Sequence, residues 1–116
     1  MQNNNKPPAR GDIVHSFDFS RDQQGNEIQK IKPALVITPL EYNKKYSIIL
    51  CCPITSNEER RHPWNIPMPR GFVTRGTILV NQLRAFDQKA RKFEIVEKLP
   101  KDILQEVLSK ILPLVT

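Results

Sequence analysis

Several side chains that could contact a phosphodiester or a nucleic-acid base lie where apolar segments end. Thr55 follows the apolar segment 46–54, Gln82 closes the segment 76–82, and Arg84 comes two residues later. Amide and guanidinium groups commonly contact base edges and phosphates, whereas a hydroxyl at a strand end more often caps a turn. Gln82 and Arg84 therefore indicate either a nucleic-acid contact or an ordinary solvated strand edge.

The charge of the chain favours a polyanionic partner. Lys and Arg number 18 against 12 Asp and Glu, a formal net charge of +6, which suits a nucleic acid or an acidic peptide. The basic run Arg60, Arg61 and His62 is either a plain soluble loop or a contact to an RNA backbone. The sequence has no glycine-rich phosphate loop, no Ser/His/Asp spacing and no His pair within one segment. From its residue types alone, the chain is a basic binding protein.

The cysteines and the hydropathy pattern exclude other classes. Cys51 and Cys52 are adjacent within an apolar run, so on a strand they point to opposite faces and suit a reducing compartment better than a disulfide. With His15 and His62 far away in sequence, they give no recognisable zinc spacing. No apolar run approaches the roughly 18 residues that span a bilayer, and residues 1–10 lack the apolar region of a secretory signal. We expect a cytoplasmic protein with no metal, no cofactor and no membrane contact.

The elements that must position these side chains are mostly strands. Residues 1–10 are polar and predict a flexible leader, and 11–116 predict one domain. From Gly11, the alternation of Ile13, His15, Phe17 and Phe19 with polar or smaller residues predicts a half-buried strand. Residues 20–31 lack periodicity and predict a long, functional connection between strands.

The rest of the chain predicts further strands and one helix. Segments 33–39 and 46–54 predict central strands, with a turn or one helical turn between them, and 76–82 and 92–99 predict two more strands. The prolines after His62 allow only short or edge pairing. Apolar residues at helical spacing predict an amphipathic helix from Pro100 that ends at Pro113. The fold class is mainly β with a C-terminal α-helix, as a small antiparallel β-barrel.

Four segments, in order and at matching spacing, resemble the MazF/PemK/Kid family of type II toxin-antitoxin endoribonuclease toxins. The first is GDIV at 11–14, similar to the G-D-I/L/V opening strand of the family. The second is GNEIQKIKPALVI at 25–37, similar to G-x-E-Q-x-G-x-R-P-A-L-V-L. The third is CPITS at 52–56, similar to P-I/V/C-T-S/T. The fourth and most specific is LVNQLRAFDQKAR at 79–91, similar to V-x-D/N-Q-x-R-x-x-D-x-x-A-R.

The resemblance implies an SH3-like barrel with the plug fold of MazF and CcdB, working as a homodimer. It implies a toxin that inhibits translation by sequence-specific, metal-independent cleavage of single-stranded RNA or mRNA. The ribose 2′-OH attacks the adjacent phosphate and leaves a cyclic phosphate and a 5′-OH. Its implied partners are the RNA substrate and a cognate acidic antitoxin whose tail occupies the basic groove.

The resemblance also assigns site residues. The family arginine before proline falls on Lys32, and the family threonine falls on Thr55. Glu27 matches the family acid and is expected to accept the 2′-OH proton or to orient Lys32. Lysine lacks the planar fork of arginine, so altered activity is expected. The expected RNA-binding residues are Asn26, Lys30, Ser56, Arg60, Arg61, Asn81, Gln82 and Arg84.

Two alternatives accompany this interpretation. One is a non-enzymatic toxin of the same fold that binds a protein target such as gyrase. The other is an RNA-binding family member that is catalytically weakened, motivated by Lys32 in place of arginine. Trp64 and Phe72 could stack unpaired bases, although packing is the commoner use of such residues, and His15 is expected to be a core or dimer-face residue.

Overall fold

The computed structural model describes residues 6–21, 23–57 and 62–116. Its elements in chain order are β1 (Asp12–Arg21), β2 (Glu27–Val36), α1 (Leu40–Lys45), β3 (Ile48–Thr55), β4 (Ile66–Pro67), β5 (Thr77–Ile78), a 3-10 helix (Val80–Gln82), β6 (Arg84–Asp87), β7 (Phe93–Lys98) and α2 (Lys101–Val115). The predicted class, mainly β with a C-terminal helix, is confirmed.

The strands form one antiparallel sheet in the order β4-β5-β3-β2-β1-β7, and β6 also pairs with β3. The register matches Val14 with Ala34 and Ala34 with Pro53 across β1, β2 and β3. Over the described residues the two outer strands, β4 and β7, do not pair, so the sheet is open where a closed barrel was expected. The prolines around β4 lack backbone N–H donors, which limits β4 and β5 to two residues each.

The central strands bury side chains on both faces of the sheet. One cluster contains Ile13, Leu35 and Cys52 and is covered by Val107 and Ile111 of α2; we call this side the helix face. The other side, the site face, holds the cluster Val14, Val36, Ile49, Cys51, Phe86 and Phe93. Consecutive residues therefore enter different clusters, which explains why these strands are continuous apolar runs rather than alternating ones. Cys51 and Cys52 lie on opposite faces, as expected, and are free.

Helix α2 follows its amphipathic pattern but extends further than predicted. It begins after Pro100, whose ring suits a helix start, and it runs to Val115 with Pro113 inside it. The prediction that Pro113 ends the helix was wrong. Pro113 lies in the last turn, where its fixed φ is compatible with helical geometry and a kink would displace only the two helical residues that follow.

The hairpin of β1 and β2 corrects a second prediction. Residues 20–31, expected to be a connection, mostly continue the two strands, which pair as far as Arg21 with Glu27. Over residues 23–31 the described side chains are exposed, with Ile28 at 38% and Ile31 at 56%. None of these described side chains is buried, which explains why the segment lacks an apolar period.

Two smaller differences concern segment ends. Segment 76–82 is a strand only at Thr77–Ile78 and then turns into the 3-10 helix. At the N-terminus, Pro8 is fully buried, its carbonyl accepts a hydrogen bond from Asn43 Nδ2 at 2.7 Å, and Arg10 Nε donates to the Ile37 carbonyl. The part of the expected leader from Pro8 to Arg10 is thus packed against the domain.

In the ranges that the model describes, no helix has the length and apolar character needed to cross a membrane.

Gly76, directly before β5, packs closely against the end of β3, and we use this contact for a prediction about stability. Gly76 has φ +116°, and a Cβ there would lie 2.0 Å from the Thr55 carbonyl oxygen. Gly71 also has a positive φ, +87°, but open space around it. We expect Gly71→Ala to lose about 1 kcal/mol from backbone strain alone, and Gly76→Ala to lose about 3 kcal/mol because of the added clash. Urea unfolding measures both, and equal losses would contradict the close contact.

Candidate nucleic-acid interface

Lys32 and Thr55 project from the same face of the sheet. Lys32 and Ala34 are two residues apart on β2, and Pro53 and Thr55 are two residues apart on β3, so the side chains of each pair point to the same face. Ala34 pairs with Pro53, and continuing that register by two residues puts Lys32 opposite Thr55. The β2–β3 pairing ends at Ala34, after which β3 pairs with β5. The two side chains therefore stand on the site face, on either side of the point where the strands part.

Two hollows lie along this face. The first, about 120 Å³, has Lys32, Ala34, Cys51, Pro53, Arg84 and Arg91 among its lining residues. The second, about 580 Å³, is lined by His62, Pro63, Asn65, Pro67 and Thr77. Thr55 pairs with Thr77, and cross-strand partners share a face, so Thr55 lies between the hollows. The site face thus has open hollows on both sides of Thr55.

A carboxylate joins two cations at the edge of the first hollow. Asp18 Oδ2 lies 3.0 Å from Lys32 Nζ, and Arg91 Nη1 donates to both carboxylate oxygens of Asp18, at 3.0 and 3.1 Å. The Arg91 guanidinium also lies 5.8 Å from the centre of the Phe86 ring. Ser16 Oγ donates to the Lys32 carbonyl at 3.2 Å. Lys32 therefore borders the first hollow while its ammonium forms an ion pair with Asp18.

The ionisable groups of this cluster differ in charge state. The hydrogen bond from Lys32 holds the pKa of Asp18 below its ordinary value of 3.8; burial opposes this shift, and the charge of Arg91 adds to it. Burial, followed by the neighbouring Cys52, raises the pKa of Cys51 to about 12. Asp18 is thus an anion at neutral pH, and the Cys51 thiol lines the hollow as a neutral group with no nucleophilic role.

The Thr55 hydroxyl is compatible with both a structural and a chemical role. Its Oγ1 accepts a hydrogen bond from the Asn57 backbone N–H at 3.1 Å, which is the turn-capping contact common at strand ends. A hydroxyl has two acceptor lone pairs and one O–H donor. The cap uses a lone pair, so the O–H is still able to donate to a ligand. The cap also fixes the oxygen that would make that contact.

The structure separates Glu27 from the two other expected catalytic residues. Glu27 begins β2 opposite Arg21, at the far end of the hairpin. Five residues at about 3.3 Å each put it about 17 Å along the strand from Lys32, and their odd spacing puts the two side chains on opposite faces. Within one chain, Glu27 cannot contact the phosphate that Lys32 contacts, because the extended hairpin carries it away from the core.

The expected RNA-binding residues divide into three groups. Arg84 lines the first hollow and donates to Gln82 Oε1 at 3.0 Å, and Lys30, paired with Asp18, shares the face of Lys32. Ser56 is exposed directly after β3, and Asn81 is exposed in the 3-10 helix, whereas Asn26 lies in the exposed turn at the hairpin tip. Arg60 and Arg61 lie outside the described residues.

Trp64, Phe72 and His15 each contact other parts of the chain. Trp64 and Phe72 pack against the helix-face core, and Trp64 Nε1 donates to the Lys110 carbonyl. His15 Nε2 lies 2.7 Å from Thr74 Oγ1, and Glu97 accepts the backbone N–H groups of Val73 and Thr74. Over the residues described, no group of three or more His, Cys, Asp or Glu side chains could hold a metal ion.

Sequence reasoning missed Asp18 and the position of Arg91. Asp18 appeared only as one of the alternating residues of the first strand, and Arg91 only as the last letter of the fourth segment. A usable signal was present, because Val14, Ser16 and Asp18 share one strand face that changes from apolar to charged along the strand. The partner strands on each side of Asp18 could not be identified from that signal.

Comparisons with known proteins identify a matching family model, related sequences and similar structures. The family model described as PemK-like, MazF-like toxin of type II toxin-antitoxin system matches residues 9–115. Endoribonuclease PemK from Escherichia coli is 30% identical over 95 residues, 79% of this chain and 71% of that protein. The crystal structure of MazF (Form-I) from Deinococcus radiodurans is 30% identical, with a TM-score of 0.74 and coverage of 92% and 94% of the two chains. In the MazE-MazF (Form-III) crystal structure from the same organism, the matching chain is 29% identical, with a TM-score of 0.77 and coverage of 93% and 95%.

The lowered pKa of Asp18 predicts how its ion pairs respond to acid. A carboxyl whose pKa is lower in the folded than in the unfolded chain stabilises the fold above its unfolded value, and this contribution is lost as pH falls through the folded pKa. Near pH 7 we expect the free energy of unfolding of the wild-type chain to be higher than that of Asp18→Asn by at most about 1 kcal/mol, because the cations that pair with Asp18 are largely exposed. The difference should shrink as pH falls below the ordinary value of 3.8 and vanish once the pH is below the lowered pKa of Asp18. Urea unfolding across this range measures it, and a pH-independent difference would contradict the ion pairs.

Proposed function

Because the chain belongs to the PemK-like, MazF-like toxin family of type II toxin-antitoxin systems, we propose that it is an endoribonuclease. It cleaves single-stranded RNA, including mRNA, and thereby inhibits translation. The observation that carries the proposal is the shared face of Lys32 and Thr55, bordered by the cations Arg84 and Arg91. The relative named endoribonuclease PemK supports the activity.

The proposed reaction needs only groups that the RNA and the chain supply. The ribose 2′ oxygen attacks the adjacent phosphorus, the bond from phosphorus to the 5′ oxygen breaks, and the products are a 2′,3′-cyclic phosphate and a 5′-OH. One proton leaves the 2′-OH and one reaches the 5′ oxygen, so the step is balanced without an added metal. Groups that donate to the extra negative charge of the phosphorane accelerate such a reaction.

Lys32 and Thr55 take the donor roles in this proposal. The Lys32 ammonium has three N–H donors, of which one contacts Asp18, and it neutralises the phosphorane or protonates the 5′ oxygen. The Thr55 O–H donates to a non-bridging oxygen. Since Glu27 lies at the far end of the hairpin, the base for the 2′-OH proton is solvent or a group from a second chain.

The partners of the chain follow from charge and from relatives. A solved MazF relative forms a complex with MazE, and we propose a cognate antitoxin for this chain, with an acidic segment that lies on the basic site face where RNA would bind. Shared use of that face would make antitoxin and RNA mutually exclusive. A competition assay in which antitoxin and RNA bind together would contradict this arrangement.

We also propose that the chain works as a homodimer in the cytoplasm. Ile28 and Ile31 on the hairpin and Leu112, Leu114 and Val115 on α2 leave apolar surface exposed in the single chain, which is typical of surfaces that pair. Sedimentation equilibrium should give twice the mass of one chain. A mass equal to one chain at micromolar concentration would contradict the dimer.

Substitution at the two donors tests the proposed activity. On a defined long RNA in EDTA, we expect the wild-type chain to cleave, and Lys32→Ala and Thr55→Ala to be slower by roughly 10²- to 10³-fold, because each loses a donor to the phosphorane. Lys32→Arg should keep substantial activity, since its planar fork suits phosphate. Lys44→Ala removes the same charge from exposed α1 and should cleave like wild type.

The outcomes separate the proposal from its alternatives. Full activity in both alanine variants would mean that the site lies elsewhere. A wild-type chain that binds RNA without cutting it would be a weakened family member, and one that neither binds nor cuts RNA but arrests DNA supercoiling would be a toxin against a protein target. Mapping of the cleaved ends should find a cyclic phosphate on one side and a 5′-OH on the other.

A further inference from the structure

Asp18 has a neighbouring strand on each side of it in the sheet. It lies on β1, between β2 and β7. On one side Ser16 pairs with Lys32 and Asp18 with Lys30, so the Lys32 side chain reaches Asp18 along the diagonal. On the other side Ser16 pairs with Phe93, and continuing that register by two residues puts Arg91 opposite Asp18. Both neighbouring strands thus bring a cation to one carboxylate.

The orientation of the Lys32 side chain depends more on the Asp18 carboxylate than that of Arg91 does. The Lys32 side chain is 62% exposed, and an exposed lysine on a flexible four-carbon stem samples many rotamers. Arg91 has a second contact, to the Phe86 ring, and is less dependent on Asp18. Apart from the Asp18 carboxylate, the described structure offers the Lys32 ammonium no charged partner within ion-pair distance.

We propose that Asp18 is a positioning residue that holds the Lys32 ammonium at the edge of the first hollow. The inference rests on the proposed ribonuclease function and deepens it. A donor that is already oriented when the phosphate arrives does not have to lose rotamer freedom in the transition state. Two N–H groups of Lys32 can then donate to the phosphate while the third donates to the Asp18 carboxylate.

The same carboxylate has an opposite effect on RNA binding. Asp18 carries a negative charge next to the path of the RNA backbone, so it weakens the attraction between the site face and phosphates. An aspartate whose only role was to balance charge would change affinity alone. Positioning predicts instead that loss of the carboxylate slows turnover while RNA binding stays equal or becomes tighter.

Kinetics of Asp18 variants on single-stranded RNA test the inference. For Asp18→Asn we expect kcat to fall about tenfold or more, with KM unchanged or lower. Asp18→Glu keeps the charge and should recover part of kcat, and Asp18→Ser is a second neutral variant with a short side chain. Glu94→Gln is the matched control, because Glu94 is exposed on neighbouring β7 and pairs with His15, whose side chain points to the helix face. Its kcat should equal that of the wild type.

A double-mutant cycle adds a readout that a general loss of structure would not reproduce. If Asp18 acts through Lys32, then Asp18→Asn introduced into Lys32→Ala should not lower kcat further. A further tenfold fall in that background would overturn the inference, as would a wild-type kcat in Asp18→Asn and Asp18→Ser. A wild-type chain that leaves RNA intact would overturn the proposed function and this inference together, whereas active but Asp18-insensitive cleavage overturns the inference alone.

Discussion

Strands β1, β2 and β3 bury side chains on both of their faces, and this double burial decides where polar side chains can stand on the sheet. Ile13 and Val14, Leu35 and Val36, and Cys52 and Cys51 send neighbouring side chains into different clusters. Helix α2 covers one cluster. The other includes Phe86 of β6 and Phe93 of β7, which pack edge to face at 5.6 Å. The site face is therefore apolar at its centre and bordered by polar strand ends, where the proposed chemistry would take place.

Antiparallel register then brings together groups that are distant in sequence. Lys32 and Thr55 are 23 positions apart and Asp18 and Arg91 are 73 apart, yet each pair stands across neighbouring strands on one face. Gly76 packs closely against the Thr55 carbonyl. The hydrogen bond from the Asn57 backbone N–H holds the Thr55 hydroxyl in place. The same contacts that end β3 thereby orient the group proposed to act on RNA.

The sequence predicted the elements whose side chains are buried and missed those whose side chains are not. Helix α2, β3 and β7 each have a face in the core, so their periodicity is visible. The outer half of β2 carries Ile28, Lys30 and Ile31 into solvent, and a strand segment without buried side chains has no apolar period to detect. Lys32 and Thr55 came from family resemblance, while the contact of Lys32 with Asp18 depends on a register across β1 and β2 that no local pattern encodes.

The central claim is that one phosphate lies between Lys32 and Thr55 on the site face. A crystal structure of the chain with a single-stranded RNA whose scissile nucleotide lacks its 2′-OH tests this directly, because that substrate cannot be cut. We expect a phosphate oxygen within hydrogen-bond distance of both Lys32 Nζ and Thr55 Oγ1. RNA bound over α2 on the helix face, or along the site face with no phosphate within reach of both atoms, would contradict it.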